Sequence, residues 1–358
     1  MTEKDPLEHA AVPMRWVGPI RISGNVLEAE REVPLATYET PLWPSVRRGA
    51  KISMQVPGGI RTTLIDERMS RSILFETDDA GQALQAWQSI QGRFADLQQV
   101  AAGSSRFARL IDLHSQIAGN LLFIRLELTT GDASGHNMVT LAAERMQEFI
   151  LREYPQLRYG SISGNFCSDK KPTAVNGILG RGKNVVADIL IPRRVVSRWL
   201  RSTPEKIATL NVRKNLIGTM LAGGLRAGNA HYANMLLGFY LATGQDAANI
   251  IEGSQGITHA EVRGEDLYFS CTLPNLIVGS VGNGKGLDFV ERNLQRMGCR
   301  EPGEPGENAR RLAVLCAATV LCGELSLLAA QTNPGELMEA HVKIERTSGG
   351  QHPPQAAH

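Results

Sequence analysis

The order of strands and helices between residues 71 and 161 constrains the fold of this chain more than any other feature. Residues 72–79 are typical of a strand, and residues 80–102 are typical of a helix. Two strands joined near Gly119 and Asn120, a second helix over residues 138–154 and a closing strand follow. This β-α-β-β-α-β order is a split βαβ arrangement. We therefore predict a compact unit with its own core.

The rest of the chain predicts strands and helices around this unit. Residues 215–253 have apolar side chains at helical spacing, with Gly and Ala on one side, and predict one long central helix. The fold class is therefore α+β, with a ferredoxin-like small domain (71–161) inserted beside that helix. The tail after Thr347 is predicted to be disordered.

Composition favours a soluble cytoplasmic protein. The 358 residues include 38 basic and 36 acidic ones, and a net charge of +2 gives no general attraction to nucleic acid or to anionic membranes. Five cysteines without paired spacing predict reduced core residues and no metal site. The apolar segment 312–330 approaches membrane length, but Gly323 and Glu324 favour a buried helix.

A charged, glycine-rich stretch, SGNFCSDKKPTAVNGILGRGK, runs from Ser163 to Lys183. It combines five charged side chains with residues that permit unusual backbone angles and close approach to a ligand. A solvated surface loop is the alternative, since most runs of charge are of that kind. We predict a polar site for an anionic substrate, held in a rigid frame.

Two segments imitate a phosphate-binding loop. Both 177–184 (GILGRGKN) and 279–286 (GSVGNGKG) fit G-x-x-x-x-G-K, but neither continues with the hydroxyl residue that would bind magnesium. This pattern argues against a nucleoside triphosphatase. The turn from Gly282 to Gly284 could meet a cofactor phosphate or be only a tight turn. The segment GDASGHNM (131–138) could place an anion at a helix N-terminus, or Asp132 could simply mark the helix entry.

Long motifs spread along the chain resemble one family from Val12 to Arg346, the 3-hydroxy-3-methylglutaryl-CoA reductases, particularly their class I branch. The matching segments are PLATYET, SSRFARL, GDASGHNM, SGNFCSDKKPTAVNGILGRGK, GNAHYANMLLGFYLATGQDAAN, EDLYFSCTLPNL, PGENARRLA and GELSLLAA. The resemblance implies a homodimer or homotetramer with active sites at the subunit interface. It also implies a helical large domain (1–70 and 162–333) around the long helix, a small domain (71–161) that binds NADPH, with NADH possible, and a C-terminal flap and tail (334–358). The reaction implied is reduction of the acyl-CoA in two steps through mevaldehyde to mevalonate.

The same resemblance implies roles for four residues. Glu39 in ATYET matches the acid on the carbonyl side, and Lys170 in SDKKP matches the cation that stabilises the oxyanion. Asp246 in GQDAA matches the carboxylate between them, and His341 in EAHVKIER matches the flap histidine that protonates the departing CoA thiolate. Taken singly, Asp246 could be a helix cap, and Glu39 and His341 could be incidental.

Further matches imply binding residues. The substrate carboxylate is expected to contact Arg71, Ser163, Lys171 and Lys214. The cofactor is expected to contact Arg106, Asp132, Ala133, Ser134, Asn137, Gly282, Asn283 and Gly284. Arg181 and Lys183 are assigned to the framework.

Some positions depart from the family pattern. The chain reads LEHAA where an ENVIG motif helps to hold CoA, so we expect a shortened N-terminus. His136 stands where the pattern has an apolar residue, and Asn283 and Lys285 interrupt a glycine-rich turn. Two alternatives therefore stay open: a reductase of a related acyl-CoA thioester, and a non-catalytic dimeric paralogue.

Overall fold

A computed structural model describes residues 10–336 together with residues 338 and 342. Nine strands form one mixed sheet, in which β1 and β3 are parallel and the other pairs are antiparallel. The strands are β1 (Met14–Gly24), β2 (Ala29–Ala36), β3 (Ile60–Glu76), β4 (Arg109–Ala118), β5 (Leu121–Thr129), β6 (Arg158–Ser161), β7 (Gly182–Ile191), β8 (Ile257–Arg263) and β9 (Asp266–Leu276).

The helices pack on this sheet or connect its strands. They are α1 (Leu42–Ser53), α2 (Ala80–Gln91), α3 (Phe94–Ala102), α4 (His136–Glu153), α5 (Ala174–Leu179), α6 (Arg193–Val195), α7 (Pro204–Leu210), α8 (Thr219–Leu221), α9 (Tyr232–Ala242), α10 (Ile250–Gly253), α11 (Asp288–Arg296) and α12 (Glu307–Ala330). Two π-helical stretches, Val196–Leu200 and Asn211–Gly218, extend α6 and α7, and a 3₁₀ turn, Ala247–Asn249, precedes α10.

Strand β3 is 17 residues long and belongs to both parts of the sheet. Its first half lies in the strand order β2-β1-β3-β7-β9-β8, where Arg61 to Arg68 pair with β7. Its second half, from Met69 to Glu76, pairs with β5, and its end also pairs with β6. The change of partners occurs between Arg68 and Met69. The two parts of the sheet therefore share one continuous backbone.

The element order predicted for residues 71–161 is present, with one difference. The strands lie side by side in the order β6-β3-β5-β4, all antiparallel, and α2, α3 and α4 pack on them around a separate apolar core. The single helix predicted over 80–102 is two helices, because the chain turns at Gly92 and Arg93. Glycine has low helix propensity, and Arg93 forms ion pairs with Asp96 and Glu153.

The prediction of one long helix over residues 215–253 is wrong. The part of the molecule outside residues 71–161 contains the strands β1, β2, β7, β8 and β9, and the predicted helix is interrupted between Leu221 and Tyr232. Gly223 adopts φ 73°, which ends the helical path. Glu324 then accepts hydrogen bonds from the backbone N–H groups of Ala230 (2.9 Å) and His231 (2.5 Å), so it caps the start of α9.

The long buried helix is α12 instead. It spans 24 residues, and almost all of its side chains are buried against the larger core. Within the described residues it is long and apolar enough to cross a membrane, but 94% of its apolar window is buried inside the fold. The five cysteines are free and buried, as predicted.

Candidate active site

The charged stretch forms the connection from β6 to β7 and has a strained backbone. Asn165, Ser168 and Lys170 adopt φ of 59°, 50° and 55°, a region that side chains other than glycine enter at a cost in free energy. The buried carboxylate of Glu252 accepts a hydrogen bond from the Lys170 backbone N–H at 2.5 Å. Glu252 therefore helps to hold the conformation that presents the Lys170 side chain.

Two buried arginines also fix this loop. Arg125 on β5 donates to the carbonyl oxygens of Phe166 (3.0 Å) and Gly180 (2.5 Å). Arg181 donates to the carbonyl oxygen of Ser70 at 2.5 Å, and its side chain is 1% exposed. Guanidinium groups suit this task because each has several donors in a fixed plane. The loop is thus tied to the strands on both sides of it.

Lys170 and Asp246 meet at the centre of the site. The Lys170 Nζ lies 2.7 Å from Asp246 Oδ2, and both side chains remain partly exposed. The hydrogen bond that Lys170 donates to Asp246 is the largest cause of a raised Lys170 pKa. Burial would raise the pKa of Asp246, but hydrogen bonds from Lys170 and from the Ala248 N–H outweigh it and lower that pKa. Both groups are therefore charged at neutral pH.

Asp169 connects the pair to further charged groups. Its Oδ1 accepts a hydrogen bond from Arg181 at 2.8 Å, and its Oδ2 lies 3.8 Å from Arg71 Nη1. Burial acts to raise the pKa of Asp169, but the nearby charges of Arg181, His136 and Lys170, together with the hydrogen bond from Arg181, outweigh it, so the pKa is lowered. His136 Nε2 lies 3.7 Å from Asp169 Oδ1. Sequence reasoning placed Arg71 at the substrate and did not identify Asp169 as its partner.

The other residues expected at the substrate carboxylate are divided between two places. Lys171 is exposed and donates to the Asp169 carbonyl oxygen at 3.1 Å, and Ser163 follows β6 in the same connection. Lys214 lies in the π-helical stretch after α7, where its Nζ donates to the Asn215 side chain at 3.2 Å. Burial lowers the pKa of Lys214, and the charge of Glu324 opposes this shift.

Glu39 lines a cavity of about 410 Å³ between α1, α9 and α12. Neither Lys170 nor Asp246 lines this cavity. Its polar lining residues that the sequence did not indicate are chiefly His231, Asn234, Arg48 and Glu336. Arg48 and Glu336 form an ion pair at 2.8 Å. The motif GNAHYANM places polar residues in a segment rich in small ones, and this pattern could have indicated His231 and Asn234. His341 lies outside the described residues.

The expected cofactor residues lie on two loops that pack backbone to backbone. A Cβ on Gly279 would lie 2.3 Å from the Ser134 nitrogen, and Ala133 forms a β-bridge with Val281. The Asp132 carboxylate accepts from the N–H groups of Gly306 and Ala309, each at 2.9 Å. Asp132 therefore caps α12 and does not mark the entry to α4.

Several of these residues fit a dinucleotide. Arg106 is exposed, and its guanidinium stacks on Phe107, which packs beside Gly131 in the first loop. Asn137, in the first turn of α4, is exposed. Gly282, at φ 104°, has open space around it, so a ligand can approach its backbone. An exposed arginine and the N-terminus of an 18-residue helix suit phosphate groups.

The lysines of both apparent phosphate loops turn inward. Lys183 donates to the Val278 carbonyl oxygen at 3.3 Å, and Lys285 donates to those of Gly244 (2.5 Å) and Asn283 (3.2 Å). Burial, followed by the charge of Arg300, lowers the pKa of Lys285 to about 8. Lys285 therefore joins the Gly282–Gly284 turn to the backbone two residues before Asp246.

One cluster has side chains of the kinds that bind metals. Asp112, His114 and Glu127 place ligand atoms within 4.8 Å of one another. However, the Glu127 oxygens pair with Arg125 at 2.7 Å and with Arg68. A cation here would face two guanidinium groups at short range, so the cluster does not fit a metal ion.

Comparison with known proteins agrees with this arrangement. A family model described as Hydroxymethylglutaryl-coenzyme A reductase matches residues 7–346. A 3-hydroxy-3-methylglutaryl-coenzyme A reductase from Aeropyrum pernix is 43% identical over 96% of this chain and 81% of its own length. The protein of the same name from Pyrococcus abyssi is 45% identical over 94% of this chain and 82% of its own length.

Solved structures show the same fold. The class II 3-hydroxy-3-methylglutaryl-CoA reductase from Streptococcus pneumoniae, bound to NADPH in open conformations, has a TM-score of 0.74. It is 22% identical, and the match covers 92% of this chain and 88% of that chain. The fold is therefore shared despite low identity. With the family match over almost the whole chain and relatives above 40% identity, the chain belongs to the hydroxymethylglutaryl-coenzyme A reductase family.

Proposed function

We propose that this protein reduces 3-hydroxy-3-methylglutaryl-CoA to mevalonate and CoA with two NADPH, and that Lys170 and Asp246 lie at its reaction centre. Family membership supports the reaction. The single observation that carries the site is the 2.7 Å ion pair between Lys170 and Asp246, placed at the tip of a strained loop by buried groups.

Lys170 supplies the positive charge at this centre. Its raised pKa keeps the ammonium group protonated at neutral pH, and Asp246 holds it in one direction. An ammonium group fixed in advance stabilises the negative charge that develops on a carbonyl oxygen when hydride arrives at the carbon. Loss of one such donor lowers kcat by about 10²–10³ in other enzymes.

NADPH supplies the hydride when it is bound. We assign its binding to Arg106, Asn137 and the 131–135 loop of an inserted ferredoxin-like cofactor domain over residues 71–161, together with the Gly282–Gly284 turn of the large domain. The separate apolar core of this region and the open space at Gly282 support that assignment. Asp132 contributes by fixing the first loop to α12.

Acyl-CoA binding is assigned to the cationic groups around Asp169 and to the cavity beside Glu39. Arg71 and Lys171 lie next to Asp169 and suit the substrate carboxylate. We assign the acid on the carbonyl side to Glu39 and the donor to the leaving thiolate to His341. The cavity at Glu39 is of a size that small ligands occupy.

We further propose a homodimer with the active sites at the subunit interface. Exposed apolar side chains cluster on the segment after α7 that also carries Lys214; Met220 is 72% exposed and Leu221 is 83% exposed. Contiguous exposed apolar surface of this kind marks protein contacts. A second copy seated there would lie beside the Lys214 side chain. Five free buried cysteines support a reducing, cytoplasmic location.

The reaction is tested by mixing purified protein with NADPH and the acyl-CoA. Two NADPH should be oxidised for each mevalonate formed, and NADH compared in parallel should show which cofactor is preferred. A panel of other acyl-CoA thioesters tests the choice of substrate. Turnover of another thioester alone would support a reductase of different specificity, and no turnover with any thioester would support a non-catalytic paralogue.

A further inference from the structure

His136 is a half-buried histidine at the start of α4, beside the proposed reaction centre. Its side chain is 23% exposed. The Nδ1 atom lies 3.5 Å from Ser134 Oγ, and Nε2 lies 3.7 Å from Asp169 Oδ1. Nε2 is buried and has no hydrogen-bond partner among the residues that the structure describes. A buried polar atom without a partner costs free energy unless a ligand supplies one.

Burial and two nearby cations keep the ring neutral. Burial is the largest cause of its lowered pKa, about 4, and the charges of Arg181 and Lys170 act in the same direction. Asp169 and Asp246 oppose this shift without reversing it. A neutral imidazole has one N–H donor and one acceptor nitrogen. Because a carboxylate faces Nε2, the favoured tautomer has its proton there.

We propose that His136 is a ligand-binding residue whose Nε2–H donates to the oxygen of an uncharged carbonyl group in the bound reactants. This inference rests on the proposed function. An anionic ligand group at Nε2 would lie against Asp169 Oδ1, which disfavours it, whereas the substrate carboxylate is assigned to Arg71 on the Oδ2 side of the same group. The two carbonyl groups with this chemistry are the acyl thioester and the carboxamide of the nicotinamide ring.

The ring also links the substrate side to the cofactor side. Ser134 and His136 belong to the loop assigned to NADPH, whereas Asp169 precedes Lys170 on the substrate loop. The distances to Ser134 and Asp169 exceed those of ordinary hydrogen bonds, as is common at sites that tighten when ligands bind. The Nε2–H group of His136 is therefore placed where it can donate to a carbonyl oxygen of either the bound NADPH or the bound acyl-CoA.

Two substitutions separate binding from packing. His136→Met keeps an apolar side chain of similar size and removes the donor, and His136→Gln restores an N–H. His259→Gln is the control, since His259 is an exposed histidine on β8. Calorimetry with NADPH alone tests the carboxamide. Initial rates at saturating NADPH test the thioester through KM and kcat.

We expect His136→Met to weaken one of these steps by about 3- to 10-fold, the range for one hydrogen bond between neutral groups. The weakened step identifies the carbonyl group. His136→Gln should recover most of the loss, the control should match the wild type, and all three proteins should unfold at similar temperatures. The pH profile of His136→Met should keep the wild-type shape between pH 5.5 and 8 if the ring is neutral there, its pKa being about 4.

Three results would overturn the inference. The His136→Met variant could have the wild-type NADPH affinity, KM and kcat, or the Met and Gln variants could lose affinity or activity equally. The third is loss of an acidic limb from the pH profile of His136→Met. Equal losses would show that the imidazole only packs, and a lost limb would show that it titrates. A wild-type protein that oxidises no NADPH with the acyl-CoA contradicts the proposed function instead. Active wild type with an unchanged variant contradicts only the role of His136.

Discussion

The loop around Lys170 and the helix α12 place charged groups in opposite settings. Near Lys170, residues with left-handed backbone angles support a partly exposed ion pair, and the buried Nε atoms of Arg71 and Arg181 have no hydrogen-bond partner among the described residues. In α12, Glu324 is fully buried, and its carboxylate accepts from the Ala230 and His231 N–H groups and from Thr258 Oγ1 at 3.0 Å.

This difference separates groups that serve binding from groups that serve stability. Polar groups satisfied within the protein stabilise the fold and have little capacity left for a ligand. Strained backbone and unpaired donors lower stability and leave capacity for one. Substitutions at the Lys170 loop should therefore change rates more than stability, and substitutions at Glu324 should do the reverse.

The largest expected effect is on catalysis. Lys170→Ala removes the ammonium group that we assign to the developing oxyanion, so kcat should fall by about 10³-fold. Unfolding in urea should show little change, because Lys170 is partly exposed. Lys206→Ala, at an exposed lysine of α7, is the control. A large loss of stability with kcat retained would show that Lys170 serves the stability of the fold and not catalysis.

Glu324→Ala should have the largest effect on stability. It removes the acceptor of two part-buried backbone N–H groups and of one buried hydroxyl group, so the free energy of unfolding should fall by about 3 kcal/mol. Glu265→Ala, in the exposed turn between β8 and β9, should change it by less than about 0.5 kcal/mol. Chemical denaturation measures both. Similar changes in the free energy of unfolding for the two variants would show that Glu324 does not stabilise the fold.

Lys285 gives a pH-dependent effect of intermediate size. Its pKa is about 8 in the folded protein and 10.5 as an ordinary lysine, so the unfolded chain binds more protons between these values. Stability from this group therefore rises with pH from about 8 to 10.5. Relative to Lys285→Met, the wild type should gain about 2 kcal/mol of unfolding free energy between pH 7 and 10.

The control for this measurement is Lys51→Met, an exposed lysine of α1, whose difference from the wild type should not vary over the same range. A constant difference for Lys285→Met as well would show that Lys285 titrates normally. It would also mean that the contact with the Gly244 carbonyl oxygen does not hold a buried ammonium group.

The smallest effect on stability is expected for Asp246→Asn. Partly exposed ion pairs contribute less than about 1 kcal/mol, so the unfolding free energy should change by no more than that. The kcat should fall clearly, because Lys170 loses the carboxylate that orients it. Asp288→Asn, an exposed acid at the start of α11, is the matched control. A loss of more than about 2 kcal/mol of unfolding free energy would show that Asp246, like Glu324, serves mainly to stabilise the fold.

The sequence predicted features that depend on local pattern and long motifs. The strand and helix order of 71–161 and the buried helix ending at Ala330 follow from spacing and residue type, and the motifs named both partners of the Lys170–Asp246 ion pair. The long helix over 215–253 was wrong because its apolar spacing continues across Gly223, where backbone geometry ends the helix. The spacing of apolar residues does not reveal that one glycine within it has a positive φ.

The groups that hold the site were beyond sequence reasoning. Glu252 supports Lys170 from 82 positions along the chain, and Arg125 reaches the same loop from β5. Glu324 appeared in the sequence only as a charge that disfavoured a membrane helix. Each of these side chains has its role through partners that the tertiary fold alone brings near.

The length of β3 has a mechanical consequence. Its 17 residues extend through both parts of the sheet, with a register shift against β7 between Leu64 and Asp66. Because this strand continues unbroken through both parts, a rotation of one part against the other would twist β3. The irregular step in β3 pairing between Leu64 and Asp66 lies within a few residues of the boundary at Arg68 and Met69, and irregularities of this kind are where strands bend and twist most readily.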